Sequence, residues 1–205
     1  CAVIIDTGRE CASTWAYMQA HADALTFPLH VIRQPIPGIF YSNEQRDCLL
    51  PAYTKSGKLP AFCSGKWKRD VFRHYLRREM GITEAVVWFG ISYDEAERMT
   101  DARPKWLTNH YPLVDGHISR GDCIRAASET FGEGPPRSRC WMCPNQNRED
   151  WLSLPGDELD KAEIVDELIR SRGMYLSRYL LPLREAVALE GSQLTLEDWL
   201  GEKLE

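Results

Sequence analysis

Short apolar runs alternate with longer amphipathic segments through the first half of this chain, and that alternation limits its fold more than any other feature. A-V-I-I at 2–5 reads as a buried strand that ends in the polar loop D-T-G-R-E at 6–10, and Cys11 to Leu25 reads as an amphipathic helix. Leu29 to Arg33 form a second short strand, followed by a long loop bearing Pro and Gly. A helix over Lys66 to Met80, a strand over Glu84 to Gly90 and a helix over Tyr93 to Met99 complete the series. Strands separated by helices of this length imply an α/β fold with a parallel sheet and right-handed crossovers. Ligands of such sheets gather at the carboxyl ends of strands, which singles out 6–10 and G-I-S-Y-D-E-A-E-R at 90–98.

The second half is punctuated differently. Asn109 to Asp115 reads as a short extended segment. Ser119 starts a helix running to Phe131, with Asp122 placed for a capping box, and Gly132 to Ser138 form a loop. From Arg148 onward amphipathic helices dominate, with Trp151, Leu152, Leu159, Ile164, Leu168, Ile169, Tyr175, Leu176 and Leu180 expected in the core. At 205 residues and 43% hydrophobic, the chain supports one α/β domain over 1–146 and a helical C-terminal extension over 147–205 packed on it. No apolar run approaches the roughly 20 residues of a membrane span, and no leader pattern is found, so a cytoplasmic protein with no membrane partner is expected.

Seven cysteines, an odd number without a leader, favour reduced thiols and metal ligation over a disulfide framework. Cys140 and Cys143 lie in a C-W-M-C-P turn, and with Cys63 and Cys123 they give the spacing C-x59-C-x16-C-x2-C. Two thiolates two residues apart can bind one ion or cluster iron, and the remote pair would complete a near-tetrahedral shell. The spacing suits either a four-cysteine zinc site or a [4Fe-4S] cluster. Cys123, in the first turns of its helix, has the dipole that favours a thiolate. Cys11 and Cys48 have no partner at ligand spacing and read as small buried apolar residues.

A net charge of -5 argues against broad nucleic-acid coating and leaves only a local patch for a polyanion. Lys66, Arg69, Arg73 and Arg77 fall within about 80° on the 66–80 helix, opposite Trp67, Val71, Phe72, Tyr75 and Leu76. Cys63, Ser64 and Gly65 at its start add free backbone N–H groups that favour anions. His21, His30, His74 and His110 read as structural. Asp94, Glu95 and Glu97 are explained by the dipole of the helix they open.

Six motifs occur here in a fixed order: I-D-T-G-R-E with T-W-A-Y (5–17), F-C-S-G-K-W-K-R (62–69), G-I-S-Y-D-E-A-E-R (90–98), Y-P-L-V-D (111–115), S-R-G-D-C (119–123) and S-R-C-W-M-C-P (138–144). In this the chain resembles the phosphoadenosine-phosphosulfate (PAPS) reductase-like family of the adenine-nucleotide alpha-hydrolase-like superfamily, in its phage and bacterial branch with a four-cysteine site. The likeness covers about residues 2 to 185. It implies a Rossmann-like (HUP-type) parallel sheet lacking its first strand, with a cysteine-rich metal loop.

The resemblance implies that Asp6, Thr7, Gly8 and Glu10 lie near an adenine nucleotide, ATP or another, or its Mg. It puts Lys66 and Lys68 near phosphate or sulfate and makes Arg98 a substrate contact. Cys63, Cys140 and Cys143 would hold a [4Fe-4S] cluster, zinc being the alternative, with Cys123 as fourth ligand; in sulfur-transferring relatives only three thiolates bind. The family's Ser-Gly-Gly-x-Asp-Ser phosphate loop is not found before Asp6, and Ser64-Gly65-Lys66 does not replace it because no apolar strand precedes it. The implied function is ATP-dependent adenylation or sulfur transfer, on a substrate that a nucleic acid would fit, in a homodimer or with a partner subunit. A PAPS or adenosine-phosphosulfate reductase is one alternative, disfavoured because no cysteine follows Cys143. The other is a non-catalytic nucleotide- or nucleic-acid-binding module with a structural four-cysteine metal site.

Overall fold

Ala2–Asp6 form strand β1 and Leu29–Arg33 form β2, and the two pair in a two-stranded sheet. These and the elements below come from a computed structural model that describes residues 1–34, 38–40 and 48–189. The rest of the loop after β2 and the end of the expected C-terminal extension, 190–205, lie outside the described residues. Between β1 and β2 runs α1 (Ala12–His21), extended by one 3-10 turn at Ala22–Ala24. Tyr53–Thr54 (β3) and Gly57–Lys58 (β4) make a small antiparallel hairpin inside the stretch read from sequence as a loop. Tyr53 also pairs far along the chain, exchanging both backbone hydrogen bonds with Tyr175 at 2.8 and 2.9 Å.

The basic helix starts two residues earlier than expected. It runs from Ser64 to Glu79, as α-helical α2 (Asp70–His74) between two π-helical turns. Trp67 and Leu76 are buried and Val71, Phe72 and Tyr75 half-buried, while Lys66, Arg69 and Arg77 are exposed. β5 (Ala85–Trp88) and β6 (Leu107–His110) then pair in parallel, Ala85 opposite Leu107 through Trp88 opposite His110. The chain is thus mixed α/β, and its described strands pair two by two. Asn109 to Asp115 is not one extended segment. The strand ends at His110 and Pro112 opens α3 (Pro112–Asp115), because proline's fixed φ and missing N–H suit a first helical position. Among the described residues no helix is long and apolar enough to cross a membrane.

The chain condenses into two compact units. Unit 1 comprises Cys1–Ile5, Ala12–Ile32 and Arg69–Ser138, and includes α4 (Arg120–Phe131). The capping box of α4 forms as the sequence suggests. The Ser119 hydroxyl accepts from Asp122 N at 3.2 Å, the Asp122 carboxylate accepts from Ser119 N at 3.0 Å, and Gly132 closes the helix at φ 78°. Ser119→Ala should cost unit 1 about 1 kcal/mol, read as a lower urea midpoint with an unchanged slope. The α1 residues Tyr17 and His21 pack against Phe131, and His21 Nε2 lies 3.0 Å from Glu133.

Unit 2 comprises Asp6–Cys11, Arg33–Lys68 and Arg139–Glu205. Its described helices are α5 (Arg148–Leu152), α6 (Gly156–Arg170) and α7 (Leu183–Ala188). Leu50, Ala52, Trp67, Met142, Trp151, Ile169, Leu176 and Leu183 build its core, joined by the buried Cys11 and Cys48. The buried line of α6 is Glu158, Ala162, Asp166 and Ile169. That leaves Ile164 and Leu168, expected inside, 66% and 47% exposed, and Leu152 of α5 is exposed as well. The face of α6 is chosen by Asp166, whose carboxylate accepts from Leu176 N (2.9 Å), Leu183 N (3.1 Å) and Arg170 Nε (2.9 Å). Buried backbone donors need acceptors, and Asp166 on this face satisfies two of them.

Candidate functional site

The strand-end loop and the C-x-x-C turn meet in unit 2. Cys11 N donates to Arg139 O and Trp141 N to Arg9 O, both at 3.0 Å, so Glu10 and Cys140 face each other in an antiparallel bridge. Hydrogen bonds that flank a pair in this way mark a non-hydrogen-bonded pair, the kind in which facing side chains stand closest. The C-x-x-C turn closes with Cys143 N donating to Cys140 O at 3.1 Å. Met142 between the two cysteines and Pro144 after them are fully buried and anchor the turn in the core. Arg9 reinforces the join, with its guanidinium 2.9 Å from Met142 Sδ and 5.0 Å over the Trp67 ring.

Cys63 enters from the start of the basic helix. Its N–H and that of Phe62 both donate to Leu49 O, at 2.8 and 3.1 Å. From the next turn Lys68 sends its ammonium to Glu10 Oε1 at 2.5 Å, and Cys140 Sγ lies 3.8 Å from the same oxygen. The three sulfurs feel one another. Burial pushes the Cys140 thiol up to about 12, with Glu10, Cys143 and Cys63 adding to the rise and Lys68 opposing it. Burial also raises Cys63, with Cys143 contributing and Lys68 opposing. Burial by itself would lower the Lys68 ammonium, but Glu10 and then the Cys140 and Cys63 sulfurs hold it above its usual value. In the metal-free protein at neutral pH, Cys140 is therefore a thiol. Its alkylation by iodoacetamide should be about a thousandfold slower than that of a free cysteine and rise about tenfold per pH unit up to pH 10, as mass spectrometry of the modified peptide would show.

The other expected nucleotide-side residues of this loop are also in unit 2. Asp6 Oδ1 accepts from Gly8 N at 2.8 Å, its other oxygen lies 3.8 Å from Arg33 Nε, and Gly8 takes φ 67°, which glycine adopts without strain. Thr7 is fully buried, and its Oγ1 has no hydrogen-bond partner among the described residues. Lys66 is exposed. Cys123 and Arg98 belong to unit 1. Cys123 is half-buried on α4, and Arg98 pairs with Glu95 at 2.7 Å. The structure thus brings Asp6, Thr7, Gly8, Glu10, Cys63, Lys66, Lys68, Cys140 and Cys143 into one unit and assigns Cys123 and Arg98 to the other. Sequence reading passed over Arg9, and no local signal marks it: its role depends on Met142 and Trp67.

Three cysteines of one unit, with a lysine ammonium among them, suit thiolate ligation of zinc or cluster iron in donor type and charge balance. Glu10 Oε2 is buried with no partner among the described residues, an orphaned anionic oxygen that a cation would satisfy. As placed, no three His, Cys, Asp or Glu side chains among the described residues converge closely enough to chelate an ion; an ion bound there would require side-chain rotation. Comparison with protein-family models, with curated proteins and with solved structures found no match to this chain.

Proposed function

We propose that this chain is an adenine-nucleotide-dependent enzyme of the PAPS reductase-like family that carries out ATP-dependent adenylation or sulfur transfer, with a cluster held by Cys63, Cys140 and Cys143. The observation that carries this reading is the backbone pairing of Arg9–Cys11 with Arg139–Trp141, because it couples the expected nucleotide loop to the expected metal turn. The Rossmann-like sheet implied by the motifs is part of the same proposal, supported by the parallel β5–β6 pair. In the first step a substrate oxygen attacks the α-phosphorus of ATP and pyrophosphate leaves. When bound, the cluster would supply a site for sulfur. In this reading Lys68 offers a half-buried cation to phosphate or sulfate, and Asp6 and Gly8 shape the loop against the nucleotide. Arg69, Arg73 and Arg103 of unit 1 crowd their positive charges, since Arg73 is held below its usual value by burial and then by Arg69, with Arg103 adding and Asp70 opposing. That crowding supports a polyanionic substrate.

Incubating the full chain with ATP, Mg and pooled RNA or DNA under anaerobic conditions tests this. Phosphorus NMR should show pyrophosphate and an adenylated substrate, and AMP once sulfide is added to displace it. One observation favours a second reading, a binding module with a structural metal: the C-x-x-C turn is anchored in the core by Met142 and Pro144. If no nucleotide binds while metal raises the unfolding temperature, that reading replaces the first.

A further inference from the structure

We infer that Glu10 is an oxygen ligand completing the three-thiolate site of unit 2, in the place the spacing of cysteines gives to Cys123. The inference rests on the second reading above, a single metal ion held at the C-x-x-C turn, and deepens it. Its first support is position. Glu10 and Cys140 are directly opposed in a non-hydrogen-bonded antiparallel pair, so the backbone itself presents both side chains on one face. The second is burial with an unmet need. The Glu10 side chain is 7% exposed and Oε2 lacks any partner among the described residues, and an anionic oxygen stripped of water without a donor is costly.

The third support is distance. Two ligands of a tetrahedral ion, a sulfur at about 2.3 Å and a carboxylate oxygen at about 2.1 Å, stand about 3.6 Å apart, and Cys140 Sγ lies 3.8 Å from Glu10 Oε1. Lys68 fits the same assignment. Four anionic donors around a divalent ion leave a net charge of about -2, and the Lys68 ammonium, already on Oε1, lowers it by one. Three thiolates and a carboxylate make a site for a single zinc, cobalt or ferrous ion, because the 3.8 Å separation fits two ligands of one ion rather than ligands on two irons of a cluster.

Cobalt(II) alone is the probe, added anaerobically to the full wild-type chain and to Cys123→Ser, Glu10→Gln and Glu10→Cys, with affinity from chelator competition and thiolate count from the sulfur-to-cobalt charge-transfer band. Cys123→Ser should match the wild type in both. Glu10→Gln should bind at least about tenfold more weakly with the thiolate band of the bound form unchanged. Glu10→Cys should recover affinity and raise the band by about a third, as a fourth thiolate joins three. Should Glu10→Gln fail to fold by circular dichroism, the other two variants still decide. Wild-type affinity in Glu10→Gln, no gain in the Glu10→Cys band, or loss of a thiolate contribution in Cys123→Ser would overturn the carboxylate ligand alone. A wild-type chain that takes up no cobalt, zinc or iron would overturn the metal reading together with it.

Discussion

Asp166→Ala should lower the stability of unit 2 by about 3 kcal/mol, a large share of what holds a domain of this size folded. The Asp166 side chain is fully buried on α6 and accepts three hydrogen bonds, from two backbone N–H groups and from Arg170. Burial pushes its carboxyl above the usual range, while the Leu176 and Leu183 N–H groups and Arg170 pull the other way. Alanine would leave those donors without an acceptor, and orphaned buried donors cost more than the average hydrogen bond contributes. Asp166→Asn keeps the shape and can accept through only one atom, so it should recover about half. Chemical denaturation of the metal-free chain checks both. A loss under about 1 kcal/mol for alanine would mean that Leu176 and Leu183 find other acceptors.

The cysteines should divide into two classes with opposite responses. Cys140→Ser removes the sulfur that lies 3.8 Å from Glu10 Oε1, and it should weaken metal binding at least about a hundredfold while leaving the metal-free fold nearly unchanged. Cys11→Ser and Cys48→Ser should do the reverse, because both side chains are buried in the core of unit 2, with the smaller loss at Cys11, whose thiol has Arg139 and Glu158 beside it. A hydroxyl there costs stability in the range of about 1–3 kcal/mol and takes no ligand away. Metal titration and thermal unfolding on the same three variants separate these outcomes. If Cys48→Ser lost metal as Cys140→Ser does, Cys48, whose thiol is raised by burial and in part by Cys63, would have to be counted among the ligands.

What could be read from the sequence divides along the range of the interactions. β2 was legible to its last residue, Leu29–Arg33, because β-branched and apolar residues between turn formers are a local signal. The Ser119 and Asp122 capping box was legible for the same reason. The β3–β4 hairpin was not, since strands of two residues carry almost no pattern and this pair is held by Tyr175. The α6 core face was misread because apolar periodicity points to Ile164 and Leu168, whereas the buried line is set by the backbone donors that Asp166 must satisfy.

In the candidate site the same division holds. The C-x-x-C turn and the loop after β1 were each visible as motifs, and Cys63 and Lys68 were singled out beside them. That Glu10 faces Cys140 while also holding Lys68 is a pairing across the chain, and spacing in sequence does not encode it. Spacing ranked Cys123 equal to Cys63 as a remote ligand; the fold puts Cys63 in the unit that holds the turn and Cys123 in the other.

Anaerobic reconstitution of the full chain with iron and sulfide, followed by iron, sulfide and zinc analysis, tests the central claim most directly. About four iron and four sulfide per chain with a broad visible absorption, all lost when Cys63, Cys140 and Cys143 are replaced together, is the expected result. A colourless chain, or one whose iron content is the same with and without those three cysteines, would contradict it.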